Sequence, residues 1–434
     1  MNQQSPGKNI RSLNTLLRIV NHFSDDFSLI FACCNYRSLR QKVMKTLRKK
    51  CLVEIQEIIL DVETKTLYTN IKNCLGENQP PVLMIFGLES VNNIQEVLKA
   101  TNQIREEFSN FKFPLIIWID DHLLQMMIRL VPDFHSWGTT IEFVISKKEL
   151  LKFIQKTTDD VFYKISSSGA SIFLENSSLN LEQGSPLRNE LELAQVDIRK
   201  RNIQLDTELA ASLEFVLGRI ADNSTEAALN YYENSLALWE KTEYLERWGY
   251  LLFYLGFWWH SHAVVNHSER EKSYFIAKEY YQQCIQKFQQ AERPDLVSKF
   301  INALALALYR LKDWDELEQL SKKAVGLHKV YAHPFRQARG YHFLSEVALE
   351  KRNWKKAKKL AEKSLKIFEQ EIKDRSIEIS HEQVIYLTWE KSFHQAWYLF
   401  SLAKAQQLLG EIDEGIITLK HAIKIAKPEY NSYN

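Results

Sequence analysis

The residues able to do chemistry fall into three groups. Asp120, Asp121 and His122 follow directly on the apolar run 115–119, and Glu89 follows the run 82–88. Carboxylates at strand ends can hold magnesium or move protons, but acidic residues in that place also cap the helix that comes next. Arg37 and Arg40 stand just after the run 28–34, beside Ser38, a candidate helix cap. They could hold an anion at a helix start or form a solvated basic face. Cys33 and Cys34 are adjacent, lack metal-ligand spacing and read as small buried apolar residues.

The second group is Trp258-Trp259-His260-Ser261-His262, with His267 close behind. Histidines this close together could ligate zinc, but no Cys accompanies them and the spacing matches no common finger. The expectation is a loop between two helices, with the two Trp packing on them. The third group is Lys355, Lys359, Lys363 and Lys366 at helical spacing, with Lys356 and Lys358 beside them and Lys322, Lys323, Lys420 and Lys424 nearby. Such a stripe attracts an acidic segment or a nucleic-acid backbone, or is a solvated outer face whose stems cover apolar surface. Arginines and aromatics do not interleave here, so nucleic acid is not the expected partner.

Three regions must position these groups. Over residues 1–155, five short apolar runs (28–34, 52–60, 82–88, 115–119, 141–145) alternate with helical patterns at 9–23, 38–50, 91–108 and 122–130. Runs apolar on both faces suit a parallel sheet covered on both sides. The expected fold there is an open, Rossmann-like α/β domain with about five parallel strands and helices on both faces. Ligands of such sheets bind beyond the carboxyl ends of the strands, which is why the residues after each run matter. A phosphate loop needs glycines and a Lys. No Gly lies between Gly7 and Gly76, and Gly7-Lys8 lacks the upstream Gly, so a nucleotide loop of the usual kind is not expected.

Residues 156–204 read as a linker and bridging helix. Ser166-Ser167-Ser168-Gly169 and Glu182-Gln183-Gly184-Ser185-Pro186 are loop punctuation, residues 170–174 form a candidate edge strand, and a helical pattern runs from 189 to about 220. Over 205–428 the pattern returns on itself. Trp314 and Trp354 are 40 residues apart, as are Pro294 and Pro334. A third copy reads Gly410-Glu411-Ile412-Asp413-Glu414-Gly415, and Pro428 closes it. Repeats of this size mean stacked units that cannot bury their apolar faces alone.

Composition sets broad limits. The 434 residues are 45% apolar, and Lys+Arg 56 nearly balance Asp+Glu 54. Net charge therefore points to neither nucleic acid nor membrane. Five Cys without CxxC spacing fit a reducing compartment. Polar residues open the chain, and no apolar run approaches the ~20 residues of a membrane span. The expectation is a cytoplasmic protein of two or three domains.

The order of elements in 1–155 resembles the NTPase module of STAND-type signalling ATPases. There the third strand ends in a run like Asp-Gly-Leu-Asp, whose first Asp helps hold magnesium. Here Phe86-Gly87-Leu88-Glu89 is similar but puts Phe86 at the metal-ligand position. Residues 114–121 and Pro132-Asp133-Phe134-His135-Ser136-Trp137 are similar to a P-loop-less bacterial variant of this module fused to helical repeats. The resemblance implies an NTPase-like fold without turnover. Residues 205–428 resemble tetratricopeptide repeats, with small or medium residues where helices cross: Ser345, Ala357, Ala361 and Ser364; Ala305, Leu317, Ser321 and Ala324; Ala403, Gly415, Leu419 and Ala422. Residues 226–239 and 277–285 look like second helices of two earlier units, Leu255-Gly256 fits a first helix between them, and 371–391 look like an insertion. That makes about five units in an all-α solenoid.

The function expected is a non-enzymatic adaptor or scaffold. Its repeats would take a protein or peptide, an acidic one if the lysine stripe is used, and its inactive α/β domain would serve as a second docking or regulatory element. One alternative is a signalling switch that still binds ATP or GTP. The other is a metal-dependent hydrolase using Asp120 and Asp121, for which no GxSxG, HExxH or paired CxxC is present. No cofactor and no membrane partner are expected.

Overall fold

The computed structural model describes residues 5–22, 27–168, 174–221, 225–375 and 381–426. The chain divides into two compact units, one of residues 1–157 and 180–205, the other of 158–179 and 206–434. Residues 156–204 are thus shared out, most of the earlier part to the second unit and the later part to the first.

In chain order the elements begin α1 (Ser5–His22), β1 (Ser28–Cys34), α2 (Arg37–Lys50), β2 (Gln56–Ile59), α3 (Leu67–Leu75), β3 (Leu83–Phe86), α4 (Ile94–Gln103) and β4 (Pro114–Ile119). Then come α5 (Asp121–Leu130), α6 (Pro132–Ser136), β5 (Gly138–Phe143), α7 (Lys147–Ser167), α8 (Asn176–Leu179) and α9 (Pro186–Lys200). The sheet order is β2-β3-β4-β1-β5, and every pairing is parallel. Both faces are buried, as the continuous apolar runs require. On one face Leu29, Phe31, Cys33, Ile117 and Ile119 share a core with the helices α3 to α6. Those helices contribute Leu67, Ile71 and Leu75 from α3, Leu98 from α4, Leu123 from α5 and Phe134 from α6. The opposite face, with Ile30, Ala32, Cys34 and Trp118, is buried as well. There α1 packs on β5 and α2 on β1.

Four details depart from expectation. α3 occupies a stretch with no helix expected. The run 52–60 contributes only Gln56–Ile59, and Leu52 is exposed. β5 starts three residues before the expected 141, at Gly138, where a Cβ would come within 2.3 Å of the Phe31 ring. The pattern 91–108 breaks into α4 and a 3₁₀ turn, Arg105–Asn110.

Among the described residues the second unit holds five helical hairpins. They are α10 (Thr207–Ile220) with α11 (Glu226–Trp239), α12 (Leu245–Val265) with α13 (Arg270–Gln290), α14 (Pro294–Leu311) with α15 (Trp314–Val330), α16 (Pro334–Glu350) with α17 (Trp354–Arg375), and α18 (His381–Leu408) with α19 (Ile412–Ala426). This is the tetratricopeptide-like stack that the repeat predicts. Pro294 and Pro334 sit in the first turns of α14 and α16, where a missing N–H costs nothing. The hairpin turns carry left-handed Lys312, Arg352 and Gly410. Helices approach closely where residues are small. A Cβ on Gly218 would lie 2.5 Å from the Tyr232 ring, and one on Gly256 2.6 Å from Tyr281. Ser235, Ser345 and Ser364 donate to the carbonyls of Ala211, Ala357 and Ala338 across their hairpins at 2.7, 2.9 and 2.7 Å.

The expected crossing residues are buried except Leu419, which is 38% exposed. Residues 371–391 are not a separate insertion where described: α17 runs on to Arg375 and α18 starts at His381. Residues 170–173 of the candidate strand, Gly169 and Pro428 lie outside the described residues. Among the described residues no helix is long and apolar enough to cross a membrane.

Candidate functional site

The first unit brings its candidates to the carboxyl edge of the sheet, but most are already engaged. Asp120 is the N-cap of α5: its Oδ1 accepts from the Leu123 amide at 2.7 Å. Burial pushes its pKa up, against the opposing effect of that hydrogen bond. Asp121 accepts a hydrogen bond from the Cys33 thiol at 3.3 Å, and its own amide donates to Asn35 Oδ1 at 2.8 Å. Burial first, and then Asp121, push the Cys33 thiol well up, so it is no nucleophile. Glu89 pairs with Arg40 at 2.8 Å, with both side chains largely buried. The Arg40 guanidinium also donates to Cys34 O at 3.2 Å and lies 5.8 Å from the Trp118 ring centroid.

Arg37 begins α2, so Ser38 is not the cap. The N-cap is Tyr36, which makes no side-chain capping bond. A carboxylate from elsewhere takes that role: the Arg37 amide donates to Glu190 Oε1 at 2.6 Å. Tyr36 donates its hydroxyl to Asp197 Oδ2 at 2.7 Å, and Lys200 approaches Asp121 at 4.0 Å. All three partners lie on α9. Its carboxylates meet the residues that follow β1 and its Lys200 the Asp121 that follows β4, neighbouring strands whose onward connections run to opposite sides of the sheet. Such a switch point is where open α/β sheets bind ligands. Here a carboxylate of the chain itself meets the helix start that would otherwise attract an anion. Burial raises the pKa of both Glu190 and Asp197. Nothing in the sequence spacing marks these two residues.

Phe86 ends β3 and stacks on Trp118 at 6.0 Å, and Trp118 stacks on Phe143 at 5.7 Å. Ala32 pairs with Trp118 in register, and its small side chain leaves room for the stack. Beside it, a cleft of about 480 Å³ opens between α2 and the ends of β2 and β3, lined among others by Arg37, Arg40, Arg48 and Glu89. Two of its arginines are matched, Arg40 by Glu89 and Arg48 by Glu57 at 2.6 Å.

In the second unit α14 packs on α16 and α16 on α18, so the first helices of these hairpins form one layer. That layer carries a ladder of aromatic and polar residues. Tyr309 donates to Glu346 Oε2 at 3.3 Å, and its ring lies 5.6 Å from Trp397. Trp397 is 4.3 Å from His342, and Arg339 contacts His394. Further back, residues 158–168 lie along earlier first helices. Asp159 pairs with Arg247 at 2.5 Å, and Phe162 stacks on Phe215 at 4.7 Å. Lys299 donates to Ser166 O at 3.0 Å, to Ser168 Oγ at 2.8 Å and to Ile165 O. Burial lowers the Lys299 pKa to about 7, with Arg336 adding to the effect.

The lysine stripe lies on α17, a second helix. Lys355, Lys359, Lys363 and Lys366 line it, and Lys363 sits 4.3 Å from the Tyr341 ring centroid. Lys358 pairs with Glu411 and Lys356 approaches Glu318 at 3.7 Å. The tryptophan–histidine stretch is helical rather than a loop, because residues 258–262 belong to α12. Trp258 Nε1 donates to Thr225 O at 3.1 Å, and His262 meets Ser273 at 3.1 Å. Among the described residues no group of three or more His, Cys, Asp or Glu is placed to hold a metal ion.

No family model and no curated protein matches the chain. Among solved structures it is similar to the apo form of RapI, with a TM-score of 0.41 and 13% identity over 64% of this chain and 97% of that one. It is similar to aspartyl phosphate phosphatase F from Bacillus subtilis, with a TM-score of 0.37 and 10% identity over 64% and 76%. A STAND signal-transduction ATPase with a tetratricopeptide repeat sensor from Pyrococcus horikoshii aligns over 95% of both chains, with a TM-score of 0.23 and 10% identity.

Proposed function

We infer that this chain is a protein-binding adaptor whose helical repeats hold a protein or peptide segment. In this reading the α/β unit is a second docking or regulatory element without nucleotide turnover. The observation that carries the reading is the half-buried set Tyr309, Arg339 and Trp397 on three successive first helices. Tyr, Arg and Trp are the residue types that dominate binding hot spots, and stacked helical pairs offer an extended surface for a partner segment. Residues 158–168 already lie along α10, α12 and the Lys299 end of α14, which leaves the Tyr309 end of α14 together with α16 and α18 as the stretch for a partner. The engagement of Glu190 at the start of α2, and Phe86 in place of an acidic ligand, support a first unit that does not turn over nucleotide.

The test compares partners captured by the wild-type chain, by Tyr309→Ala with Trp397→Ala, and by Lys355, Lys359 and Lys363 changed to Glu. A partner lost from the aromatic variant and kept by the lysine variant supports this surface. Identical partner sets from all three, or ATP hydrolysis by the purified chain, would sink the reading.

A further inference from the structure

The last described hairpin carries an apolar face. Gly415 and Ala422 of α19 are buried, whereas Ile412, Ile416, Leu419 and Ile423 are 51%, 46%, 38% and 49% exposed. Their spacing puts all four on one side of the helix. With Phe400 and Ala403 of α18, three of them line a groove of about 550 Å³. In the preceding hairpins the following first helix takes this place: α16 packs on α14 and α15, and α18 on α16 and α17. Contiguous exposed apolar surface of this kind marks an interaction site.

The groove suits an amphipathic helix, and the same face supplies one in α19 itself. The charges on α19 are segregated. Asp413 lies in its first turn and Lys420 and Lys424 lie toward its end, all three on one flank of the apolar stripe, while Glu414 projects from the far side. Two copies of α19 laid antiparallel bring the acidic start of each beside the basic end of the other, with opposed helix dipoles. The apolar side chains of the face expose roughly 500 Å² a copy, so a pair would bury about 1,000 Å², the threshold of a specific interface.

We propose that this face is a two-fold self-association surface, through which two copies of the chain pair by laying α19 of each over the α18–α19 groove of the other. An isologous contact of this kind closes on itself and forms a dimer rather than a fibre. The proposal is independent of the adaptor reading.

Sedimentation velocity of the full chain across micromolar concentrations tests it. The expected species has twice the 51.0 kDa chain mass. Ile416→Glu with Leu419→Glu should weaken pairing by more than about tenfold, while Ile417→Glu, exposed but off the stripe, should leave it intact. Asp413→Lys should also weaken pairing, and adding Lys420→Glu with Lys424→Glu should restore it. These charge variants alter only exposed side chains, so they carry the test even where the apolar variant fails to fold. A wild-type chain that stays at 51.0 kDa overturns the proposal, as does pairing indifferent to both sets of changes.

Discussion

The backbone amide of Arg37 donates to the carboxylate of Glu190 across 153 residues of sequence, at 2.6 Å. One of the free donors in the first turn of α2, which follows the strand β1, is thereby met from within the chain. Removing the carboxylate leaves an orphan donor at that helix end. Glu190→Ala should therefore cost about 1–2 kcal/mol in chemical denaturation. Added sulfate should recover part of that loss in the variant and leave the wild type unmoved. Equal sulfate responses would show that the carboxylate does not stand in an anion's place.

Acid should act oppositely on the two units. Burial, with Arg336 beside it, lowers the His328 pKa to about 3, and burial lowers His260 to about 4, both from 6.5. Between those values and 6.5 the unfolded chain binds more protons than the folded one. The stability these groups lend is present above pH 6.5 and is lost as pH falls, at up to about 1.4 kcal/mol per histidine per pH unit. In the first unit, burial raises Asp120, Glu190 and Asp197, so their folded forms hold protons more tightly than the unfolded chain. That contribution is present at acid pH and lost as pH rises through the raised values. Amide exchange, corrected for its intrinsic pH dependence, should lose protection in the repeats relative to the sheet between about pH 7 and pH 5. A uniform change would contradict both assignments.

Lys299 holds the last turn of α7 through three oxygens. Lys299→Met keeps the stem but strands two carbonyls, and should cost about 1–3 kcal/mol. Its signature should be local, with faster amide exchange in residues 158–168. Unchanged exchange there would mean that the ammonium does not secure the turn.

Two helical glycines should respond with opposite signs. Gly326 has nothing within 4 Å of an added Cβ, so Gly326→Ala should stabilise by up to about 1 kcal/mol through helix propensity. Gly256→Ala gains the same propensity but drives a methyl to within 2.6 Å of the Tyr281 ring. Overpacking of that kind costs about 1–3 kcal/mol, so the net effect should be a loss. Thermal melts of both variants check the pair.

The repeats are legible in the sequence because two independent demands recur together. Trp314 and Trp354 start second helices, and Lys312 and Arg352 turn the hairpins, at the same 40-residue interval. β1 and β4 are legible because both their faces are buried. α3 is hidden, since its buried face is only Leu67, Ile71 and Leu75 in a polar setting. The helical state of residues 258–262 is hidden for the opposite reason. α12 is buried all round from Gly249 to Gly256, so it shows no amphipathic period. Glu190 and Asp197 escape any reading of spacing, because their partners lie 153 and 161 residues away and meet them only once α9 folds back.

The interleaving of the two units bears on how the chain is made. Residues 158–179 leave the ribosome before 180–205, yet the later segment completes the sheet unit and the earlier one joins the helical stack. Arg37 and Tyr36 therefore wait for Glu190 and Asp197 until nearly the whole of α9 has been synthesised. No single cut in the polypeptide releases either half whole, so a truncation after residue 157 would yield a sheet with its ends uncovered.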